Sequence, residues 1–588
     1  MKLPRFWGLC RPKAIVEAGL LLVLPLLFSR QFAEQFSDPK RFLTEVLVLT
    51  AAGAWAVGVI WGKAAAPRNS SLTLPLALLG CAVLVSCLNS PLPTLSLVEA
   101  EYFLCGPIWL LLLVAWGGGE ARLRWLAALV SVASAAVAII ALAQWARHDP
   151  LQFGGYHVEW GTLRSAMRLY STFGNPNFVA GYLIGAIFLA LALTASSKSS
   201  AARVLSGIAV LVTFAAIIGT RSRGAWVGLA AGLLVARRFW KAHGGEGAPV
   251  PEGGLSTGGA ALGVWILPAT LVIVVPSLTQ QVRALLIQLE ARAYLWRAAW
   301  PMFTAHPLFG SGWGTFQLRF PELQARFLGA HPELSRYWTF TRQLHSDPLQ
   351  ILLEAGAVAF VALGWLLWRY GRELRQAAPS GTHSTRLWLG ASAGGAAAIL
   401  VDSLFNFQLA VPPTLILLFT LLALPRLLQR GDDEGVSPPR GLSCSRGIIA
   451  LLSLASVSVF AAVALLAFGI VRRTAAERDY GDGLAEERRG DVVRAGESYR
   501  RGLERAPGYG ELHYGLARTL YLQQQYPEAL AETLQAERTL ADPHLEVLKA
   551  RIEDQMDFRS PALEAYRHAL WLDPKLKTVH DDIERLSK

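Results

Sequence analysis

The stretch from Pro176 to Ala195, PNFVAGYLIGAIFLALALTA, runs for 20 residues without a charged side chain. That is the length an α-helix needs to cross the hydrocarbon of a bilayer, and no polar face remains for water. Similar runs lie at about 14–28, 42–61, 72–88, 99–117, 125–145, 204–220, 224–240, 260–278, 347–368, 386–407, 410–427 and 447–471. The expected architecture is therefore all-α: a polytopic transmembrane helical bundle of about 12–13 spans over residues 1–471, followed by a soluble helical tail over 473–588.

Composition agrees. Of 588 residues, 53% are hydrophobic and only 17% charged, too apolar for an ordinary soluble domain. The charged residues concentrate after about residue 473. Cys10, Cys81, Cys87, Cys105 and Cys444 show no C-x-x-C spacing and lie in or beside apolar runs, so neither a zinc site nor a disulfide framework is expected. Lys2, Arg5, Arg11 and Lys13 precede the first run, but no A-x-A-like site follows it, so it reads as an uncleaved span rather than a signal peptide.

The formal charge of +12 has a membrane explanation, and no nucleic-acid partner is expected. With the N-terminus inside, the inner loops contain Lys63 and Arg68, Arg122 and Arg124, Lys198 and Arg203, Arg237, Arg238 and Lys241, Arg369, Arg372 and Arg375, and Arg426, Arg430, Arg440 and Arg446. This is the positive-inside pattern. Arg30, Lys40 and Arg41, in an outer loop, run against it. An odd number of spans then leaves the tail outside.

One outer segment, about Pro276 to Ser346, is far longer than the other connections and has seven arginines and no lysine. A guanidinium grips phosphate with two parallel hydrogen bonds, although many such arginines merely meet water or lipid headgroups. A second outer feature is the tight turn Thr220-Arg221-Ser222-Arg223-Gly224, whose arginines either anchor helix ends or form part of a site. The third is His345, suited to exchanging a proton near neutral pH. Asp347 either orients His345 or caps the helix that begins at Pro348.

Four stretches together resemble the O-antigen ligase superfamily, which includes O-antigen ligases, polymerases of the same type and protein O-oligosaccharyltransferases. They are Ser171-Thr172-Phe173-Gly174-Asn175-Pro176-Asn177, Ser222-Arg223-Gly224-Ala225-Trp226, Arg292-x-x-x-Trp296 continuing to His306-Pro307-Leu308-Phe309-Gly310-Ser311-Gly312-Trp313-Gly314, and His345-Ser346 with Leu349-Gln350 and Glu354-Ala355-Gly356. The resemblance covers roughly residues 40–430. It implies a GT-C-like enzyme of the bacterial inner membrane that moves a glycan from a polyprenyl diphosphate carrier on the periplasmic side, inverting the anomeric carbon without metal or other cofactor. Carried over by position, Arg223 and Arg292 would hold the diphosphate, with Arg221 beside Arg223, and His345 would activate the acceptor hydroxyl. The long loop also lacks a D-x-D pair, which fits that chemistry. The implied acceptor is of lipid A-core type, with a carrier-linked glycan or a protein hydroxyl as the alternatives.

After about residue 475 a period near 34 residues appears, that of tetratricopeptide repeats. Small residues recur at Ala495, Ala529 and Ala562 and again at Gly502, Ala536 and Ala569, with Tyr499, Thr533 and Tyr566 between them. Three stacked helix pairs are expected, an α-solenoid whose concave face suits a protein partner. A transporter or membrane scaffold is the reading from another class. It would place ionisable groups at mid-membrane, whereas here the arginines and His345 gather at one face.

Overall fold

The computed structural model describes residues 12–64, 71–146, 148–151, 169–240, 278–378, 382–429, 446–576 and 578–588. These form helices and no strand. In chain order they are α1 (Pro12–Ala18, prolonged by tighter and wider turns to Leu26), α2 (Asp38–Ile60), α3 (Thr73–Ser86), α4 (Pro93–Ala115), α5 (Glu120–Trp145), α6 (Pro176–Ser196), α7 (Ser200–Thr220) and α8 (Arg223–Trp240). Then come α9 (Leu278–Ala299), α10 (Pro301–Ala305), α11 (Phe316–Ala330), α12 (Asp347–Ala377), α13 (His383–Asp402), α14 (Pro412–Gln429) and α15 (Arg446–Arg488). The tail adds α16 (Val492–Arg505), α17 (Gly510–Leu522), α18 (Tyr526–Glu537), α19 (Pro543–Gln555), α20 (Arg559–Leu572) and α21 (Val579–Ser587).

Eight described helices are long and apolar enough to cross a membrane: α2, α4, α5, α6, α7, α12, α14 and most of α15. Four more of the expected spans are helical but fall short. The first run is broken into α1 and two turns, α3 is short, α8 carries Arg223, Arg237 and Arg238, and α13 carries His383, Arg386 and Asp402 around a stretch of small residues. The expected span at 260–278 lies almost wholly outside the described residues.

α6 and α14 form the centre and are buried along most of their lengths. Leu451, Leu454, Val457, Phe460, Leu465 and Phe468 of α15 are exposed instead, as lipid-facing side chains are. Between α8 and α13 the backbones touch. A Cβ at Gly228 would lie 2.5 Å from the Ala398 carbonyl, and one at Gly232 would lie 2.5 Å from that of Gly394. Small residues four apart let membrane helices approach this closely. The stripe ends where Gly224 meets the Asp402 carboxylate, which brings the Arg221–Arg223 turn onto the far end of α13.

Two of the three basic residues that broke the charge rule, Lys40 and Arg41, have internal partners; Arg30 is exposed. Lys40 is fully buried, and its ammonium donates to the carbonyls of Leu27, Phe36 (3.0 Å) and Thr172 (2.6 Å). Arg41 pairs with Glu45 at 2.9 Å and Glu99 at 2.8 Å. Satisfied inside the fold, neither has a charge to offer to lipid headgroups.

The tail is a stack of three helix pairs, and the nine positions that carried its period are all buried. α15 runs without interruption from the apolar bundle into this stack. The tail also rests on the long segment between α8 and α12: Trp338 Nε1 donates to the Leu572 carbonyl at 2.8 Å, Lys575 lies 5.2 Å from the Trp338 ring, and Arg342 pairs with Glu511 at 3.3 Å. Long segment and tail therefore share one side of the bundle. Trp338→Ala is expected to remove about 2 kcal/mol of local stability, the scale of an aromatic anchor, and so to speed amide exchange in residues 559–576 about thirtyfold. Unchanged protection there would show that α15 alone holds the repeats.

Candidate active site

Two of the motif stretches meet in one backbone clamp. Gly356 has φ 77° and ψ −177°, so α12 breaks after Ala355 and restarts at Ala357. A break leaves carbonyls and N–H groups unpaired in an apolar setting, where each needs a partner. Residues 307–312 supply them. Ser311 and Gly312 N–H donate to the carbonyls of Leu353 (3.1 Å) and Glu354 (3.0 Å), while Ala357 and Val358 N–H donate to those of Pro307 (2.9 Å) and Leu308 (3.1 Å). The buried Glu354 carboxylate then accepts from Gly314 and Phe316 N–H, both at 2.9 Å, at the start of α11. This fixes the helices of the long segment on the bundle.

His345 is held from both sides. Its neighbour Leu344 donates its N–H to Gln350 Oε1 at 3.1 Å and accepts at its carbonyl from Trp296 Nε1 at 3.3 Å. His345 itself has φ 57°, a left-handed backbone costly for a residue with a Cβ. Trp296 stands one helical turn after Arg292, so both occupy one face of α9. The same helix that fixes the His345 backbone thus brings a guanidinium to its imidazole.

The remaining stretches converge on the loop that follows α13, residues 402–410. Buried Asp402 accepts from Asn406 Nδ2 at 2.7 Å and Gln408 Nε2 at 2.6 Å, and Gln408 also donates to the Asn177 carbonyl at 3.1 Å. Asn177 follows the Asn175 side chain that caps α6. Asp347 N–H donates to the Ser403 carbonyl at 2.9 Å, and its carboxylate accepts from Leu409 N–H at 3.1 Å. Asp347 therefore ties the start of α12 to this loop, a role that is neither of the two expected for it: it is the first residue of α12, and its carboxylate is taken by the Leu409 N–H.

Two aromatic rings of the loop carry the polar groups. The His345 ring meets Phe407 edge-on at 5.0 Å, Phe407 meets Phe178 at 5.1 Å, and the Arg292 guanidinium lies 5.7 Å from the Phe405 ring. Among the described residues Arg292 makes no ion pair and no hydrogen bond; Asp402 supplies only attraction at longer range. Burial and the positive charge of Arg292 push His345 down to about 4, so its imidazole is neutral at physiological pH. Arg223 is half-buried at the start of α8, where Gly224 lies against Asp402 and Asn406. Arg221 differs: its side chain is exposed, and its left-handed backbone closes the end of α7. The structure brings Arg292 and His345 together and Arg223 to the same loop, but assigns Arg221 no contact with them.

Residues 208–364 match the O-antigen ligase family model, and residues 488–552 match a tetratricopeptide repeat model. The chain carries an O-antigen ligase domain. No curated protein matches the chain.

The matched part of the ligase domain contains Arg223, Arg292, His345 and the clamp at Gly356, and it ends before the loop on which they converge. Asp402, Phe405, Asn406, Phe407 and Gln408 are the residues that sequence reasoning missed. Only one signal was available, a buried-type carboxylate closing a run of small residues from Gly390 to Ala398. The chain is thus a multi-pass membrane glycosyltransferase of the ligase type with a helical repeat tail.

Proposed function

We propose that the ligase domain transfers a glycan from a polyprenyl diphosphate carrier to a hydroxyl of a lipid A-core type acceptor, on the periplasmic face of the bacterial inner membrane. The observation that carries this is Arg292: a guanidinium withdrawn from water, without an ion-pair partner among the described residues, beside a neutral imidazole. Such a guanidinium awaits an anion. Arg292 and Arg223 receive the diphosphate, while Arg221, at the end of α7, is left the weaker part in the outer rim. As the bond between anomeric carbon and diphosphate oxygen breaks, charge grows on the leaving group, and fixed guanidinium groups favour that state. The acceptor oxygen attacks from the opposite face, forming the new glycosidic bond and inverting the carbon, and its proton passes to His345.

Orientation supports the periplasmic side. Arg122, Arg124, Arg203, Arg237 and Arg238 lie in the terminal turns of α5, α7 and α8 at the end of the bundle away from His345, with Lys198 in the connection before α7, and the contrary Lys40 and Arg41 are satisfied internally. The repeats, on the same side as the long segment, are suited to a protein partner.

Arg292→Ala is expected to weaken donor affinity by about ten- to a hundredfold, the loss of a charged hydrogen bond of roughly 1.5–3 kcal/mol. Arg292→Lys restores charge without the planar fork and should recover only part of it. Donor affinity unchanged in Arg292→Ala would remove the diphosphate from this site.

A further inference from the structure

The long segment holds a second guanidinium that the transfer chemistry does not use. Of its arginines with described side chains, Arg326 pairs with Glu322 at 3.2 Å, Arg336 with Glu290 at 3.8 Å and Arg342 with Glu511 at 3.3 Å, Arg297 lies 5.8 Å from the Phe327 ring, and Arg292 belongs to the site above. Arg319, in the first turn of α11, has no carboxylate partner among the described residues. It is half-buried, and burial holds its guanidinium below the ordinary value. Its Nε is buried without a hydrogen bond, and Nη2 reaches only the Asn89 carbonyl, at 3.4 Å. Most of the donors of the planar fork are left for something else.

The height of Asn89 in the membrane follows from α3. Just before that helix, at the opposite end of the bundle, Ser71 accepts from Arg369 Nε at its carbonyl (3.2 Å) and from Arg426 Nη2 at its hydroxyl (3.0 Å). The 14 residues of α3 and the 3-residue turn Cys87–Asn89 then climb about 27 Å, close to the roughly 30 Å of bilayer hydrocarbon. Arg319 therefore stands at headgroup level on the side of the long segment. The surface beneath it is apolar and open. Leu88 is 80% exposed, with Leu84 and Val85 exposed below it. Asn89 Nδ2 donates to the Gly310 carbonyl at 3.1 Å, which sets exposed Leu308 and Phe309 beside Leu88. Leu308 in turn accepts from the Val358 N–H of α12, one turn above exposed Val361. Apolar side chains thus lead from the guanidinium down into the bilayer.

We propose that Arg319 and this surface bind one glycerophospholipid of the adjoining leaflet, with its phosphate on the guanidinium and its acyl chains over Leu88, Leu308 and Val361. The phosphate diester supplies the anion that no carboxylate of the described fold supplies, and a planar fork suits two of its oxygens. The exposed leucines give the chains an apolar bed. The site stands apart from the transfer chemistry: Arg319 bonds to the end of α3, whereas Arg223 and Arg292 meet the loop after α13. Such a lipid fastens α11 to the membrane beside the clamp at Gly356.

The test uses the full chain in dodecyl maltoside micelles, with lipid retention followed by native mass spectrometry. Phosphatidylglycerol is expected to occupy one site about tenfold or more tightly than a diacylglycerol with the same chains, a ratio of the size one charged hydrogen bond gives. Arg319→Ala should weaken that binding about tenfold. Leu88→Asp should weaken it as well, by setting a carboxylate against the phosphate at a position too exposed to disturb the fold. Arg326→Ala, exposed on the same helix and paired with Glu322, is the control and should leave retention unchanged. The proposal is overturned if diacylglycerol is retained as well as phosphatidylglycerol, if Arg319→Ala binds phosphatidylglycerol like the unaltered chain, or if Arg326→Ala loses as much. It is overturned too if inorganic phosphate at the same concentration displaces the lipid, which would make Arg319 a free-anion site, or if equimolar polyprenyl diphosphate does, which would give Arg319 to the donor.

Discussion

Replacing His345 with alanine is expected to lower glycan transfer by about 10²–10⁴-fold, the contribution of a positioned proton acceptor, while the carrier diphosphate still binds. The pH dependence gives a sharper signature. A base works in its neutral form, so activity is lost as pH falls through its pKa. In the free protein burial and Arg292 hold His345 at about 4, and kcat/KM for the donor should therefore persist well into acid. Bound diphosphate offsets the positive charge of Arg292 and favours the imidazolium. The acid limb of kcat should then lie at higher pH than that of kcat/KM, and the difference should vanish in His345→Ala. Transfer by His345→Ala at the unaltered rate would dismiss the imidazole as the base.

The second large effect is expected at Gly356. Its φ of 77° with ψ near 180° is a region occupied almost only by glycine, and a side chain there costs about 1–3 kcal/mol before any contact is counted. A Cβ would also lie 2.3 Å from the Leu308 carbonyl, inside the clamp that satisfies the break in α12. Moving residues 307–312 away leaves buried backbone groups unpaired, at about 1–3 kcal/mol each. Gly356→Ala should therefore lose at least about 3 kcal/mol, seen as a fall in the detergent-solubilised melting temperature and in accumulation in the membrane. Gly364→Ala, in the same helix with open space around it, is the control and should change stability by less than about 1 kcal/mol. Equal melting of the two variants would mean that the clamp is not what holds the break.

The helices could be read from sequence because length and apolarity act locally: twenty uncharged residues need no partner to declare themselves. The repeat could be read for a related reason, since Ala495, Ala529 and Ala562 serve the same contact in successive units. His345 stood out as a side chain suited to proton exchange, and Arg292 only through the motif it shares with the ligase family, since nothing else set it apart from the other arginines of its segment. The loop at 402–410 was not legible, because the contacts that tie it to the rest of the site reach segments distant in the chain: Asn177, Gly224, Asp347, Arg292. The break at Gly356 was hidden as well, since the apolar run continues through it. Hydropathy measures what a residue avoids and is silent on where its backbone bonds go. Lys40 misled in the opposite way, for a lysine in a loop reads as surface until the three carbonyls around it are seen.

α15 spans 43 residues without a hinge, about 65 Å of rod at 1.5 Å per residue. Its membrane half faces outward and is lightly held, while its other half is packed into the repeats. Near the middle Arg473 grips Glu45 at 2.5 Å and Glu101 at 3.7 Å, and Glu45 also holds Arg41, which pairs in turn with Glu99. A rod of that length is a lever. A torque applied to the repeats would turn it about this fulcrum, and each degree of rotation would displace the membrane end, about 40 Å away, by roughly 0.7 Å, so that a load on the tail would bear on the charged chain that ends at Glu99.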